Sequence, residues 1–205
     1  MDTPPTADHR ICFFGDSMTQ GTADPQCRGW VGRVCEAARV RGIDVTCFNL
    51  GVRGDTSRDV RQRWEAECAV RFTVPCATHV LFSFGANDMT LQDGALRVGY
   101  DESVANLQAM VVAARQRHAV LVVGPSPVNE PEQDERIVAL CRRYEASAQQ
   151  LQLPYLPIVR TLMSNQRWRG DVAASDGCHP GALGYELMAS LVQRWPAWWF
   201  ADNAA

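Results

Sequence analysis

A chain of 205 residues is long enough for one folded domain with a sizeable core, and 46% of its residues are hydrophobic. The formal net charge of -3 argues against a nucleic-acid partner, because phosphate backbones bind to strongly basic faces. All twenty positive charges are arginine, which we interpret as a compositional bias and not as a functional arginine surface.

The amino-terminal residues give no sign of a targeting segment. Residues 1–9 lack the basic start and apolar centre of a signal peptide, and no apolar run approaches the roughly 20 residues of a membrane span. We therefore expect a flexible lead-in over residues 1–9, a single domain over residues 10–205, and a cytoplasmic protein. The eight cysteines lack the paired spacing of zinc sites, so we expect free thiols and no metal.

Strand and helix patterns alternate along the chain. Short apolar runs predict strands at residues 10–14, 45–50, 78–84, 119–123 and 154–158. Apolar residues three and four apart predict helices at residues 30–40, 57–68, 100–117, 133–150 and 182–194. This alternation is typical of an α/β domain in which helices cover both faces of a parallel sheet.

Three of the predicted strands end in glycine-containing turns. Gly15-Asp16-Ser17 follows the first strand, Gly54 follows the second, and Gly85-Ala86-Asn87-Asp88 follows the third. In a parallel sheet the carboxyl ends lie together at one edge, where open α/β sheets bind their ligands. A hydroxyl at that edge, as in Ser17, is a nucleophile, a phosphate contact or a cap of the next helix.

A fourth element, Asp176 and His179, lies in a loop before the last predicted helix. Their spacing lets a tight loop turn the Asp176 carboxylate onto one ring nitrogen of His179 while the other ring nitrogen faces Ser17. This is the relation of nucleophile, base and orienting acid in a serine hydrolase. Cys178 is expected to line the pocket and not to attack, because adjacent side chains usually point apart.

These four blocks together resemble the SGNH hydrolases, also called the GDSL esterase/lipase family. They occur in the family's order and span nearly the whole chain. The matching residues are Gly15-Asp16-Ser17, Gly54, Gly85-Ala86-Asn87-Asp88 and Asp176-Gly177-Cys178-His179-Pro180. One departure is that Met18 stands where the family name has leucine, and an apolar methionine should pack there equally well.

The resemblance implies a three-layer α/β/α, flavodoxin-like fold with a central five-stranded parallel sheet. It implies that Ser17 is the nucleophile, His179 the base and Asp176 its orienting acid. The oxyanion hole would combine the backbone N–H groups of Ser17 and Gly54 with the side-chain amide of Asn87. The expected reaction is hydrolysis of carboxylic esters, with thioesters as an extension, of small or medium acyl groups through an acyl-serine and without a cofactor.

Two alternatives remain open from the sequence. Within enzymes, the resemblance also covers carbohydrate acetylesterases, and the loops that choose the substrate, at residues 22–29, 89–99 and 125–133, carry no readable signature. From another class, the architecture suits a nucleotide- or phosphate-binding module, although no glycine-rich phosphate loop is present. The expected partner is a small ester, and the sequence leaves open whether the chain forms a homo-oligomer.

Several residues near the blocks have more modest interpretations. We expect Asp16 to bond loop amides, and Asp55 and Asp88 to act as loop or cap residues. Arg53, beside Gly54, is either an exposed loop residue or a contact for an acidic substrate group. The other three histidines, His9, His79 and His118, have no neighbour at metal-ligand spacing.

The carboxyl end of the chain is unusually aromatic, with the run Trp195-Pro196-Ala197-Trp198-Trp199-Phe200. Such a segment packs back on its own domain, forms a contact between copies, or offers an apolar patch to acyl chains or a membrane surface. The sequence does not separate these interpretations.

Overall fold

A computed structural model of the protein describes residues 7–201. Its strands are β1 (His9–Gly15), β2 (Val45–Gly51), β3 (Ala77–Ser83), β4 (Leu91–Gln92), β5 (Ala95–Leu96), β6 (Ala119–Val123) and β7 (Tyr155–Leu156). Its helices are α1 (Ser17–Gln20), α2 (Gly29–Val40), α3 (Ser57–Ala69), α4 (Tyr100–Ala114), α5 (Pro131–Gln150), α6 (Val159–Met163), α7 (Gln166–Ala174) and α8 (Ala182–Gln193).

The central sheet has five parallel strands in the order β2-β1-β3-β6-β7, which confirms the predicted α/β class and strand number. Helix α2 packs against α8, while α3, α4 and α5 pack in a row on one another. Because crossovers between parallel strands are right-handed, these two groups of helices cover opposite faces of the sheet. The result is the three-layer α/β/α arrangement.

Strands β1 and β3 lie inside the sheet, and their composition reflects burial on both faces. The four residues from Ile11 to Phe14 are fully buried, as are Val80, Leu81 and Phe82 of β3. Each helix presents one apolar stripe to this layer and a polar face to the solvent. Within residues 7–201, no helix is both long and apolar enough to cross a bilayer.

The ends of the helices follow local chemistry. Helix α3 begins with a capping box, in which Thr56 and Asp59 each accept from the other's backbone N–H. Helix α5 begins two residues earlier than predicted, at Pro131, because proline suits the first turn and Glu130 accepts from the N–H groups that follow it.

The structure contains three short helices, one hairpin and one strand boundary that the periodicity did not predict. Helices α1, α6 and α7 are short, so they carry too few turns for a repeat to be read. The hairpin of β4 and β5 turns at Asp93 and Gly94, whose φ values of 52° and 78° are both positive, as a two-residue turn requires. Strand β1 begins at His9, inside the predicted lead-in, of which residues 1–6 lie outside the described part of the chain.

The aromatic segment at the carboxyl end packs back onto the domain. Trp198 and Phe200 are 3% and 6% exposed, and their ring centroids lie 5.5 Å apart. The Trp198 ring lies 6.4 Å from that of Phe13 in β1, and the Phe13 ring in turn meets Trp30 at 5.8 Å. Of the three interpretations of this segment, packing back on its own domain therefore holds for these two side chains.

Replacing Trp198 by alanine should lower the free energy of unfolding by about 3–5 kcal/mol, because a large buried ring is lost and its cavity cannot fully collapse. Urea unfolding at equilibrium measures this loss. The matched control is Val40→Ala, at a side chain that is 83% exposed, and it should change stability by less than about 0.5 kcal/mol. A loss at Trp198 as small as the control's would contradict the packing described here.

Candidate active site

Ser17 lies on the turn that joins the central strand β1 to helix α1. Gly15 ends the strand where a Cβ atom would lie 2.0 Å from the carbonyl oxygen of Ser83, so no side chain fits there. Asp16 is the N-cap of α1, and its carboxylate accepts from the N–H of Met18 at 2.9 Å. The cap is therefore Asp16, and Ser17 is the first helical residue with its hydroxyl free for other contacts.

A hydrogen-bonded chain joins Ser17, His179 and Asp176. The Ser17 Oγ and His179 Nε2 atoms are 2.7 Å apart, and His179 Nδ1 is 2.7 Å from Asp176 Oδ2. Ser17 and His179 are 8% and 9% exposed, so water has little access to their contact. The structure thus brings together the three residues that were predicted to act together, across 162 positions of sequence.

The loop between α7 and α8 holds Asp176 ionised beside the imidazole. Its Oδ1 atom accepts from the backbone N–H groups of Cys178 and His179, at 3.0 and 2.7 Å. Burial alone would raise the pKa of Asp176, but these bonds and the His179 ring outweigh it and lower the pKa to about 2. Gly177 makes the turn possible with a φ of 81°, a value that residues with a Cβ rarely adopt.

Cys178 lines the cavity next to the base but is poorly suited to attack. Burial, followed by the charges of Asp176 and Asp16, raises the pKa of its thiol, so it carries less thiolate than a free cysteine. This agrees with its expected place as a pocket-lining residue.

Gly54 and Asn87 line the same cavity as Ser17 and His179. Gly54 has a φ of 82°, and a Cβ placed on it would meet open space. Asn87 donates one amide hydrogen to the carbonyl oxygen of Asp55 at 3.0 Å. An amide nitrogen carries two hydrogens, so this bond fixes the side chain and leaves the second hydrogen for a ligand.

The cavity has a volume of about 420 Å³ and a mixed lining. Met18, Ala86 and Val128 contribute apolar surface, while Thr90 and Gln133 contribute polar groups. The Gln133 side chain is held by the Ala86 carbonyl oxygen and the Thr90 hydroxyl, at 2.9 and 3.0 Å. A ligand of modest size with both apolar and polar parts suits such a lining.

Asp55 and Asp88 hold the turns around the cavity, as loop and cap residues were expected to do. Asp88 is fully buried and accepts from the N–H of Ser57 at 2.7 Å and from the Ser103 hydroxyl at 2.5 Å. Ser103 also lies 2.6 Å from the hydroxyl of Tyr144. This network fixes the segment just after Asn87 against the start of α3.

Arg63 of α3 is a residue that the sequence analysis did not single out. Its guanidinium donates to the carbonyl oxygens of Leu50 and Gly15, at 2.8 and 3.3 Å, and to the Asp55 carboxylate at 2.8 Å. The first two lie at the ends of β2 and β1, and Asp55 follows Gly54. One cation thus ties together the turns that carry Ser17 and Gly54. The only signal in the sequence was its position in the second turn of the helix that follows the Gly54 turn.

No group of three or more histidine, cysteine, aspartate or glutamate side chains within residues 7–201 is arranged to hold a metal ion. The hydrogen bonds of His179 also engage both ring nitrogens, which leaves neither for a ligand bond.

Comparison with known proteins gives one family and a consistent set of structures. A model of the GDSL-like lipase/acylhydrolase family matches residues 13–187. A lipase/acylhydrolase from Enterococcus faecalis has a TM-score of 0.75 and 24% identity, covering 90% of this chain and 93% of its own. Axe2, an acetylxylan esterase from Geobacillus stearothermophilus, has a TM-score of 0.76 and 17% identity, covering 97% and 98%.

Among curated proteins, the uncharacterized protein YpmR of Bacillus subtilis (strain 168) is 34% identical over 83 residues. The match covers 38% of this chain and 31% of that protein, so it spans about a third of the relative's length.

The Asp16 carboxyl should make the protein less stable as the pH rises. Burial raises its pKa to about 7, whereas an aspartate in an unfolded chain titrates near about 3.9. Between these values the folded state keeps a proton that the unfolded state releases, so the free energy of unfolding decreases as the pH rises. The destabilisation caused by Asp16 reaches its full size above pH 7. Asp16→Asn keeps an oxygen for the Met18 N–H and removes the charge.

We expect the free energy of unfolding of Asp16→Asn, measured by urea unfolding, to rise relative to that of the wild type by roughly 2 kcal/mol between pH 5 and pH 8. Asp44→Asn is the control, because Asp44 is exposed and its replacement should give a difference that does not depend on pH. A constant difference for Asp16→Asn would refute the raised pKa.

Proposed function

The chain belongs to the GDSL-like lipase/acylhydrolase family, and we propose that it hydrolyses carboxylic esters of small or medium acyl groups through an acyl-serine formed at Ser17. Membership in this family makes the chain an ester hydrolase, which replaces the alternative of a nucleotide-binding module. The observation that carries the proposal is the hydrogen-bonded chain of Ser17, His179 and Asp176, with both contacts at 2.7 Å.

In the first half of the reaction, Ser17 Oγ attacks the ester carbonyl carbon as its proton passes to His179 Nε2. The tetrahedral intermediate collapses when the imidazolium returns that proton to the leaving alcohol, and the acyl group remains on Ser17. A water molecule then attacks the acyl carbon while His179 takes its proton. The second tetrahedral intermediate collapses as the imidazolium gives that proton to Ser17 Oγ, and the carboxylic acid leaves. Asp176 stays ionised throughout and stabilises the imidazolium, which agrees with its low pKa.

Three donors would stabilise the oxyanion in both halves. The backbone N–H groups of Ser17 and Gly54 donate to no other atom within residues 7–201, so both are available. The second amide hydrogen of Asn87 is the third donor. Removing one such donor typically costs about 3 kcal/mol of transition-state stabilisation, since the donors are fixed before the charge develops.

The structural neighbour Axe2 supports these roles. Alanine variants of that enzyme at a serine, an aspartate and a histidine are described as catalytic mutants. Its aspartate precedes its histidine by three positions, as Asp176 precedes His179 in this chain.

The test is hydrolysis of p-nitrophenyl acetate, butyrate and octanoate by the wild type and by Ser17→Ala. The variant should lose at least about a thousandfold in kcat, because a triad without its nucleophile keeps only binding and oxyanion stabilisation. Ser164→Ala is the control, since the Ser164 side chain is exposed and donates to the carbonyl oxygen of Thr161 in α6, away from the cavity.

If a folded Ser17→Ala protein retained most of the rate, Ser17 would not be the nucleophile. Acetylated xylose and an acyl thioester, assayed beside the three esters, separate a simple esterase from a carbohydrate acetylesterase and a thioesterase. Acetylated sugars are included because the polar side chains of Thr90 and Gln133 line the cavity, where they can form hydrogen bonds with sugar hydroxyls.

Arg63→Met should lower kcat by about tenfold to a hundredfold with little change in KM. The turns that carry Ser17 and Gly54 would no longer be joined by hydrogen bonds from one guanidinium, so the oxyanion donors would lose their alignment. Arg63→Lys should recover part of the loss, since one ammonium can reach some of the same oxygens. Steady-state kinetics on p-nitrophenyl butyrate give the two constants.

The control for this experiment lies on the same helix. Arg58→Met removes an exposed arginine that pairs with Glu102, and it should leave both constants unchanged. Equal losses in the Arg58 and Arg63 variants, or an unchanged kcat in Arg63→Met, would contradict the bracing role.

A further inference from the structure

We propose, on the basis of the function proposed above, that the natural substrate is an ester carrying a carboxylate, phosphate or sulfate group, and that Arg53 at the cavity mouth binds this anionic group. The preference would be a property of binding, because Arg53 lies outside the triad and the oxyanion donors. It would set which esters this enzyme selects among those that its triad can cleave.

The position of Arg53 is fixed by its backbone. The preceding residue, Val52, donates its N–H to the carbonyl oxygen of Gly15 at 3.0 Å, and Asp55 donates back to the carbonyl oxygen of Val52 at 3.2 Å. The turn is thus anchored to the strand that ends at Ser17. From this turn, Arg53 lines the cavity together with Ser17 and His179 and is exposed to solvent.

The charge of Arg53 is not neutralised by the protein. Within residues 7–201 its guanidinium makes no hydrogen bond or ion pair, although two carboxylates lie close in sequence. Asp55 is occupied by Arg63 at 2.8 Å, and Asp59 belongs to the capping box of α3. The carboxylates that would ordinarily pair with this arginine are therefore already engaged.

Among the described residues that line the cavity, Arg53 is the one arginine. The carboxyl group that lines the cavity, Asp16, lies buried beneath the nucleophile, and its raised pKa of about 7 weakens its charge near neutrality. Asp176 bonds to the far side of the His179 ring. Arg53 is close enough to act on Cys178, where its charge partly opposes the burial and the carboxyl charges that raise the pKa of that thiol.

A guanidinium suits this task because its planar fork donates two parallel hydrogen bonds to a carboxylate, phosphate or sulfate. The formal net charge of the protein is -3, so its overall charge does not attract an anionic ester, and the attraction has to come from a local group such as Arg53. A neutral ester of the same shape gains nothing from Arg53.

The experiment compares matched neutral and anionic esters. For the acyl side, p-nitrophenyl butyrate is paired with the p-nitrophenyl monoester of succinate. For the alcohol side, phenyl acetate is paired with 4-carboxyphenyl acetate. Each pair is assayed with the wild type, Arg53→Gln and Arg53→Lys, and with Arg142→Gln, which removes an exposed arginine of α5 that does not line the cavity.

On at least one side, Arg53→Gln should lower kcat/KM for the anionic ester by about tenfold to a hundredfold, chiefly through KM, and leave the neutral ester within about twofold. Arg53→Lys should fall between, and added salt should shrink the wild-type preference. The side that responds identifies whether the acyl or the alcohol part carries the anion. Arg142→Gln should keep the wild-type ratios.

The failures are distinguishable. Turnover of neutral esters by the wild type with no Arg53-dependent gain for either anionic ester, or an equal loss for neutral and anionic esters in Arg53→Gln, overturns this inference and leaves the esterase standing. A wild type that turns over none of the four esters refutes the proposed function, and this inference with it.

Discussion

The register of β1 against its two neighbours is the constraint on which the site depends. Gly15, the last residue of β1, pairs with Gly51 of β2 on one side and with Ser83 of β3 on the other. The three strands therefore end at one level, and the turns that follow them leave the sheet side by side. A slip of one register position would separate Ser17 from the Gly54 and Asn87 turns and reverse which side chains face each helical layer.

Close backbone approach makes this arrangement tight. A Cβ on Gly51 would lie 2.2 Å from the N–H of Gln20, and one on Gly15 would collide with Ser83 and Thr19. These glycines let α1 settle directly on the strand ends, while Asn49 donates to the Thr19 carbonyl oxygen at 2.9 Å and so secures the helix from β2. Arg63 then donates to the carbonyl oxygens of Gly15 and Leu50 at the ends of these strands. The position of Ser17 thus results from several backbone contacts that side-chain identity alone does not reveal.

The sequence was most informative where a single physical pattern sufficed. Buried strands such as β3 and amphipathic helices such as α2 follow from hydrophobic periodicity, and the spacing of Asp176 and His179 was enough to anticipate their contact. It was least informative for α1, α6 and α7, which are too short for periodicity, and for Arg63, whose partners are main-chain oxygens. Whether Arg53 stays unpaired was equally hidden, because it depends on which neighbouring carboxylates α3 engages.

The packing of Trp198 on Phe13 joins the last part of the described chain to its first strand. The chain therefore has to extend as far as Trp198 before β1, at the centre of the sheet, acquires its full set of neighbours. Contacts of such high sequence separation close large loops and slow folding. One side of β1 would therefore stay partly uncovered until Trp198 and Phe200 pack, and both follow Ser17, Asp176 and His179 in the sequence.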